Sequence, residues 1–196
     1  MPVMSKVEAT FCRSRAWRSF TAKVVMPWVL RGEDFVGDVL EIGAGAGANT
    51  AVIAAIHPQA AITATDIDPA MVAAARARLA RFGRRIAVQQ ADATRLPFDD
   101  DSFDAVVSML MLHHVLCWEA VIQEVDRVLR PGGRLVGYDL TSTRSARALH
   151  LADRSPHRLV DSDELRQELT RAGFVEIAVA TGLGRLVARF HAAMPT

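Results

Sequence analysis

From Asp38 onward, short apolar runs rich in β-branched residues alternate with longer stretches whose apolar positions repeat at helical spacing. That alternation marks strand–helix–strand units building a parallel sheet, since strands buried on both faces read as continuous apolar runs. The runs predict strands over residues 38–42, 61–66, 85–90, 104–109 and 134–139, with helices over 49–56, 69–82 and 118–129. The helix over 69–82 has clear punctuation: Asp68 as N-cap, Pro69 at the first helical position and Gly83 at the end. Pro131-Gly132-Gly133 stops the helix before it.

Beyond the fifth strand, residues 141–160 read as loop, followed by a helix over 163–172 and two close strands over 174–180 and 185–190. Gly182-Leu183-Gly184 between those strands is short enough for a hairpin, so the parallel sheet is expected to finish in an antiparallel pair. The first thirty or so residues read as one or two helices carrying Phe11, Trp17, Phe20 and Trp28. They also hold Lys6, Arg13, Arg15, Arg18, Lys23 and Arg31 against Glu8 alone.

With 196 residues, 51% apolar and 23% charged, the chain has the makeup of one globular domain. A formal charge of +1 disfavours nucleic-acid binding through overall positive potential. Cys12 and Cys117 lie far apart, so neither a disulfide framework nor a zinc site is suggested and a cytoplasmic setting is the expectation. The apolar run 24–30 is broken by Pro27 and is too short for a membrane span.

Candidate chemistry starts at the end of the first strand. Gly43, Gly45 and Gly47 follow it directly and open a helix, where bare backbone admits a ligand and helix amides favour an anionic group. The same spacing, Gly43-x-Gly45-x-x-Ala48, also satisfies the relaxed dinucleotide pattern, so this turn specifies a nucleotide-like ligand and no more. Asp66 closes the second strand, where a carboxylate accepts both hydroxyls of a ribose; a capping network with Asp68 is the competing reading.

The motifs in order run Val39-Leu40-Glu41-Ile42-Gly43-Ala44-Gly45-Ala46-Gly47, Thr65-Asp66-Ile67-Asp68-Pro69-Ala70-Met71, and Ala91-Asp92-Ala93 with Leu96-Pro97-Phe98. They continue with Ser102-Phe103-Asp104, Leu112-His113-His114-Val115 and Val128-Leu129-Arg130-Pro131-Gly132-Gly133. Over about Val36 to Leu140 this series resembles the class I S-adenosylmethionine-dependent methyltransferases, in particular the small-molecule group that includes the ubiquinone and menaquinone C-methyltransferases. The resemblance implies a Rossmann-like, doubly wound, mostly parallel seven-stranded α/β sheet in the order 3-2-1-4-5-7-6, closed by a C-terminal antiparallel hairpin. It further implies that Glu41 orients the turn or meets the methionine amino group and that Gly43, Ala44, Gly45 and Gly47 pass beneath the cofactor's amino-acid end. Asp66 would hold the ribose, Ile67 would pack on the adenine, and Asp92 with the Ala93 amide would read its edge. The backbone at Ser108 and Met109 would complete the wall.

Methyl transfer from a sulfonium is an in-line displacement, which demands placement and exclusion of water more than acid–base help. His113 and His114 sit where a base would be needed if the acceptor carries a proton of high pKa; a loop-packing role is the competing reading. The fourth strand ends Val107-Ser108-Met109-Leu110, without the Asn/Asp-Pro-Pro-aromatic segment of many nucleobase amine methyltransferases. Cys117 lacks a preceding proline and reads as a packed residue, and no acidic cluster at 108–110 offers magnesium ligands.

The expected organisation is a single domain over 1–196. A helical lid would occupy 1–35, the cofactor-binding core 36–140, an acceptor-side insertion 141–160, and a helix with the terminal hairpin 161–196. Aromatic residues of the lid and Arg144, Arg147, His150, Arg154 and His157 of the insertion suit an apolar or aromatic small-molecule acceptor. The basic face is equally compatible with anionic lipid or with plain solvent, and the chain with a monomer or homodimer. Two alternatives stay open: a non-catalytic S-adenosylmethionine-binding module and an NAD(P)-dependent oxidoreductase.

Overall fold

A computed structural model describes residues 19–143 and 157–196. Phe11, Cys12, Trp17, Arg144, Arg147, His150 and Arg154, along with most of the basic N-terminal residues, lie outside the described residues.

The described chain begins with a turn of π-helix, Thr21–Val25, running into α1, Met26–Val29. There follow β1 (Gly37–Ile42), α2 (Ala48–Ile56), β2 (Ala60–Asp66), α3 (Pro69–Leu79), β3 (Ile86–Gln90) and β4 (Phe103–Met109). Then come α4 (Trp118–Val128), β5 (Leu129–Leu140), α5 (Ser162–Arg171), β6 (Val175–Gly182) and β7 (Val187–Ala193). The strands form one sheet in the order β3-β2-β1-β4-β5-β7-β6, parallel except that β7 runs antiparallel to both β5 and β6. The expected seven-stranded Rossmann-like topology is therefore the one observed.

Alternation along the central strands decides which helices cover which face. Leu40 and Ile42, Val106 and Leu135 point to one side, where they pack with Trp118, Val121 and Val125 of α4 and Leu165 and Leu169 of α5. Val39, Val107 and Val136 point to the other and meet Met26 and Val29 of α1 and Ile53 and Ala54 of α2. Both edges of the sheet are blunted by arginine. Arg76 Nε donates to the Val88 carbonyl of β3 at 3.1 Å, and Arg166 reaches the Ile177 and Val179 carbonyls of β6 at 3.5 and 3.4 Å.

Element boundaries depart from expectation where geometry intervenes. Asp68 does cap α3, accepting from the Ala70 amide, but the helix runs on into a 3₁₀ stretch, Ala80–Arg85, that is broken within by the left-handed Gly83 (φ +60°). Helix α4 does end ahead of Pro131, yet β5 begins at once, at Leu129, with a bulge opposite Phe103 and Ala105. Cys117 corrects the sequence reading: it is exposed at the start of α4, and the neighbouring Trp118 takes the buried position. Among the described residues, no helix is long and apolar enough to cross a membrane.

Candidate active site

The chain turns one way out of β1 to build β2 and β3, and the other way to build β4 onward. The carboxyl ends of β1 and β4 therefore diverge and leave a crevice, where sheets of this type bind ligands. Every cofactor residue expected from sequence lies at this carboxyl edge or on the segments leaving it.

The glycine turn is built from left-handed residues, with φ of +66° at Gly43, +55° at Gly45 and +73° at Gly47. Its glycines serve different ends. A Cβ on Gly47 would press on Leu79 and Ala75 of α3, so this position lets α2 and α3 pack. A Cβ on Gly43 would fall 2.1 Å from Met111 Cγ, because the Met111 side chain folds over the turn. At Gly45 nothing lies within 4 Å, and it is here that the backbone faces open space. Ala44 pins the turn to β2 through its amide on the Thr65 carbonyl at 2.8 Å, and α2 starts at Gly47 with no side-chain cap.

Glu41 is the most perturbed acid at the site. It is 1% exposed on the α2 side of the sheet, and its Oε2 has no hydrogen-bond partner among the described residues. Burial pushes its carboxyl up to about 7; the Thr50 hydroxyl pulls it down and the charge of Asp66 adds to the rise. A buried carboxylate oxygen left without a donor costs free energy unless something outside the protein supplies one.

Asp66 accepts from the Gly45 amide at 2.8 Å through Oδ2 and from the Asp68 amide at 2.9 Å through Oδ1. It thus ties the glycine turn to the end of β2, and the capping network with Asp68 is present as well. Burial raises its pKa, against the lowering by those amides. An ionised carboxylate has about four acceptor sites, so two amides leave room for hydroxyl donors. The next loop is drawn in by the Ala91 amide on the Asp66 carbonyl at 3.1 Å. In that loop Asp92 Oδ1 accepts from both the amide and hydroxyl of Thr94, at 2.9 and 2.7 Å, which fixes the carboxyl's direction. Ala93 is buried, while Ile67 is half-buried with its carbonyl held by the Gln90 amide group at 2.9 Å.

On the opposite wall Ser108 lies level with Ile42, its buried Oγ without a partner among the described residues, and Met109 is buried in the α2 face. Leu110 then adopts φ +56° and donates its amide to the Tyr138 carbonyl, the reversal that throws Met111 across Gly43.

His113 and His114 fall on a 3₁₀ turn, Leu112–His114. His113 Nδ1 lies 2.5 Å from Asp139 Oδ1, with the two side chains 2% and 0% exposed. Asp139 is itself held by the Leu112 and Leu140 amides, each at 2.7 Å. His114 is half-buried with its ring 4.0 Å from that of His113. The sequence reading missed Asp139, Thr94 and Met111. For Asp139 the one available signal was an acid at the end of a strand predicted to be buried. The expected aromatic wall changes too: Trp28 packs against Gly182 at the end of β6. Among the described residues, no group of His, Cys, Asp and Glu could hold a metal ion.

A crevice at the switch point of the sheet over a glycine turn, with acids at the ends of successive strands, defines a class. The chain belongs to the methyltransferase domain family, whose model matches residues 40–137, half of the chain, and it is an S-adenosylmethionine-dependent methyltransferase by that membership. A demethylmenaquinone methyltransferase of Clavibacter sepedonicus is 33% identical over 186 residues, covering 82% of this chain and 72% of its own length. A ubiquinone/menaquinone biosynthesis C-methyltransferase of Desulfotalea psychrophila is 35% identical over 139 residues, covering 71% and 53%. The chain thus spans about half the length of several curated relatives it matches. In fold it is similar to a SAM-dependent methyltransferase from Aquifex aeolicus, with a TM-score of 0.74 at 18% identity over 96% of this chain and 97% of that one.

Proposed function

We propose that this protein binds S-adenosylmethionine in the crevice between β1 and β4 and directs its methyl group to a small-molecule acceptor held over the ends of β4 and β5. The observation that carries the reading is Glu41 Oε2, a buried acceptor with no donor among the described residues, beside a glycine turn that faces open space at Gly45. The cofactor's ammonium group is the kind of donor that position calls for. A nicotinamide dinucleotide offers no such cation there.

When bound, S-adenosylmethionine supplies an electrophilic methyl group on a positively charged sulfur. This chain's residues then do the holding. Glu41 pairs with the ammonium, Asp66 accepts from ribose hydroxyls with its remaining lone pairs, and Asp92 with the Ala93 amide reads the adenine edge while Ile67 covers its face. Met111 roofs the turn and keeps water from the path between β1 and β4. His113 is the base for an acceptor that must lose a proton, with Asp139 holding the ring at Nδ1 and so fixing its orientation. His114 shapes the same turn. The relatives named for quinone methylation support an acceptor of the phenol or quinol kind, methylated at carbon or oxygen.

Calorimetric titration tests the cofactor. S-adenosylmethionine and S-adenosylhomocysteine should both bind at one site per chain and NAD should not. NAD binding with no heat from either sulfur ligand would end this reading.

A further inference from the structure

Further along the carboxyl edge from the glycine turn, beyond β5, lies a second concavity, a cleft of about 330 Å³. Three elements wall it: Thr141 and Ser142 just past β5, Asp161 and Asp163 at the start of α5, and Thr181 and Arg185 from the β6–β7 hairpin. The walls are tied together. The Thr141 amide donates to the Leu186 carbonyl at 3.0 Å and its hydroxyl to the Arg185 carbonyl, while the Ser142 amide donates to the Val160 carbonyl at 3.1 Å and its hydroxyl to Asp161 at 3.2 Å. Every residue lining the cleft is polar.

Chemistry narrows the occupant. Asp161 is already committed, since its Oδ1 caps α5 by accepting from the Asp163 and Glu164 amides and its Oδ2 accepts from Ser142. Among the described residues no hydrogen bond or ion pair engages the Asp163 carboxylate, the Arg185 guanidinium or the Thr181 hydroxyl. The hairpin also holds Arg185 at φ +69° beside Leu183 at +50°, a left-handed backbone that side chains rarely adopt. Two carboxylates against one guanidinium reject a phosphate, and the amino end of α5 is already capped. Threonine methyls and the arginine stem are the apolar groups of the lining, with no aromatic or branched aliphatic side chain to form a wall for an apolar ring. What remains complementary is a group that donates and accepts at the same time. A carboxylate accepts from two neighbouring hydroxyls, a guanidinium donates to two, and threonine does both.

We infer that this cleft binds a neutral polyhydroxylated group, a sugar ring or polyol, carried by the methyl acceptor. The assignment to the acceptor rests on the methyl-transfer reading above. Thr141 follows Asp139 by two residues, about 6 to 7 Å of extended chain, so the cleft begins one strand step beyond the residue that holds His113.

Backbone amide NMR of the whole chain, saturated with S-adenosylhomocysteine, tests this with four probes: para-hydroxyphenyl glucoside, hydroquinone, inorganic phosphate and glycine. The glucoside should shift amides of residues 141–143, 162–164 and 181–185 together with those of 112–114, while hydroquinone leaves the cleft unmoved. Arg185→Ala and Asp163→Ala, at exposed positions, should each weaken the glucoside about tenfold or more. Cleft shifts with phosphate or glycine, or none with the glucoside, would overturn the ligand class. Glucoside shifts confined to the cleft would overturn its assignment to the acceptor. S-adenosylhomocysteine is read separately at Gly43, Gly45 and Gly47: silence there counts against methyl transfer, while a glucoside response in the cleft stands without it.

Discussion

Replacing Glu41 by Gln separates what the glycine turn needs for its cofactor from what the fold needs for itself. The carboxyl is fully buried, and burial lifts it from the usual 4.5 to about 7, with Thr50 opposing and Asp66 reinforcing. At about 1.4 kcal/mol per unit, that rise is worth about 3 kcal/mol. The folded pKa lies above the unfolded one, so the native state holds the extra proton. The associated stability is present below about pH 4.5 and is lost as pH rises through about 7. Above that range the free protein carries an uncompensated buried charge. Glu41→Gln removes the titration, so in urea unfolding at about pH 8 the ligand-free variant should be more stable than the wild type by up to about 3 kcal/mol, and close to it at about pH 4.5. The bound cofactor should reverse the order, because its ammonium compensates the carboxylate. S-adenosylhomocysteine should stabilise the wild type far more than the variant, and wild-type affinity should fall about tenfold per pH unit below 7. If the variant is destabilised equally at both pH values and gains as much from the ligand as the wild type does, then Glu41 is a structural acid and its role in cofactor binding is wrong.

Other substitutions test other parts of the site. Asp66→Ala should weaken S-adenosylhomocysteine by about 1.5 to 3 kcal/mol in calorimetry, a tenfold loss or more, and an unchanged dissociation constant would move the ribose elsewhere. Asp139→Asn should lower stability by about 3 to 5 kcal/mol, since one of the groups facing the buried carboxylate loses its acceptor. In the fraction that folds, kcat should fall and its pH profile move, whereas an unmoved profile would leave Asp139 a purely structural anchor. Gly137→Ala should cost about 3 kcal/mol or more, because its Cβ would lie 2.2 Å from the Ser108 carbonyl oxygen of the neighbouring strand and 2.5 Å from Phe190. Denaturant midpoints within error of the wild type would contradict that close approach.

The sheet was legible because its determinants are local and periodic. Val39 and Leu40, Val106 and Val107, Leu135 and Val136 state in sequence that both faces are covered, and the observed core divides them between α4/α5 and α1/α2. The cofactor side was legible for a related reason. Its residues sit where strands end, so their position in the chain is also their position in the crevice. The acceptor side was not. Asp139 meets His113 across 26 residues, and Met111 reaches Gly43 only because Leu110 reverses the chain at positive φ; neither contact follows from spacing. The polar cleft needs three elements far apart in sequence to converge, and Thr141, Asp161 and Arg185 carry no motif when read singly. Aromatic residues near the N-terminus suggested a wall for an aromatic acceptor, yet Trp28 serves packing against Gly182.

Transfer of an isotopically labelled methyl group measures directly whether this crevice turns over S-adenosylmethionine. The chain is incubated with methyl-labelled cofactor and a small-molecule metabolite extract, with the Asp66→Ala variant in parallel. Label should appear in a discrete acceptor product together with unlabelled S-adenosylhomocysteine, both reduced in the variant. Cofactor bound in calorimetry with no label leaving it, across extracts that support transfer by a control methyltransferase, would contradict the account and leave a binding module in its place.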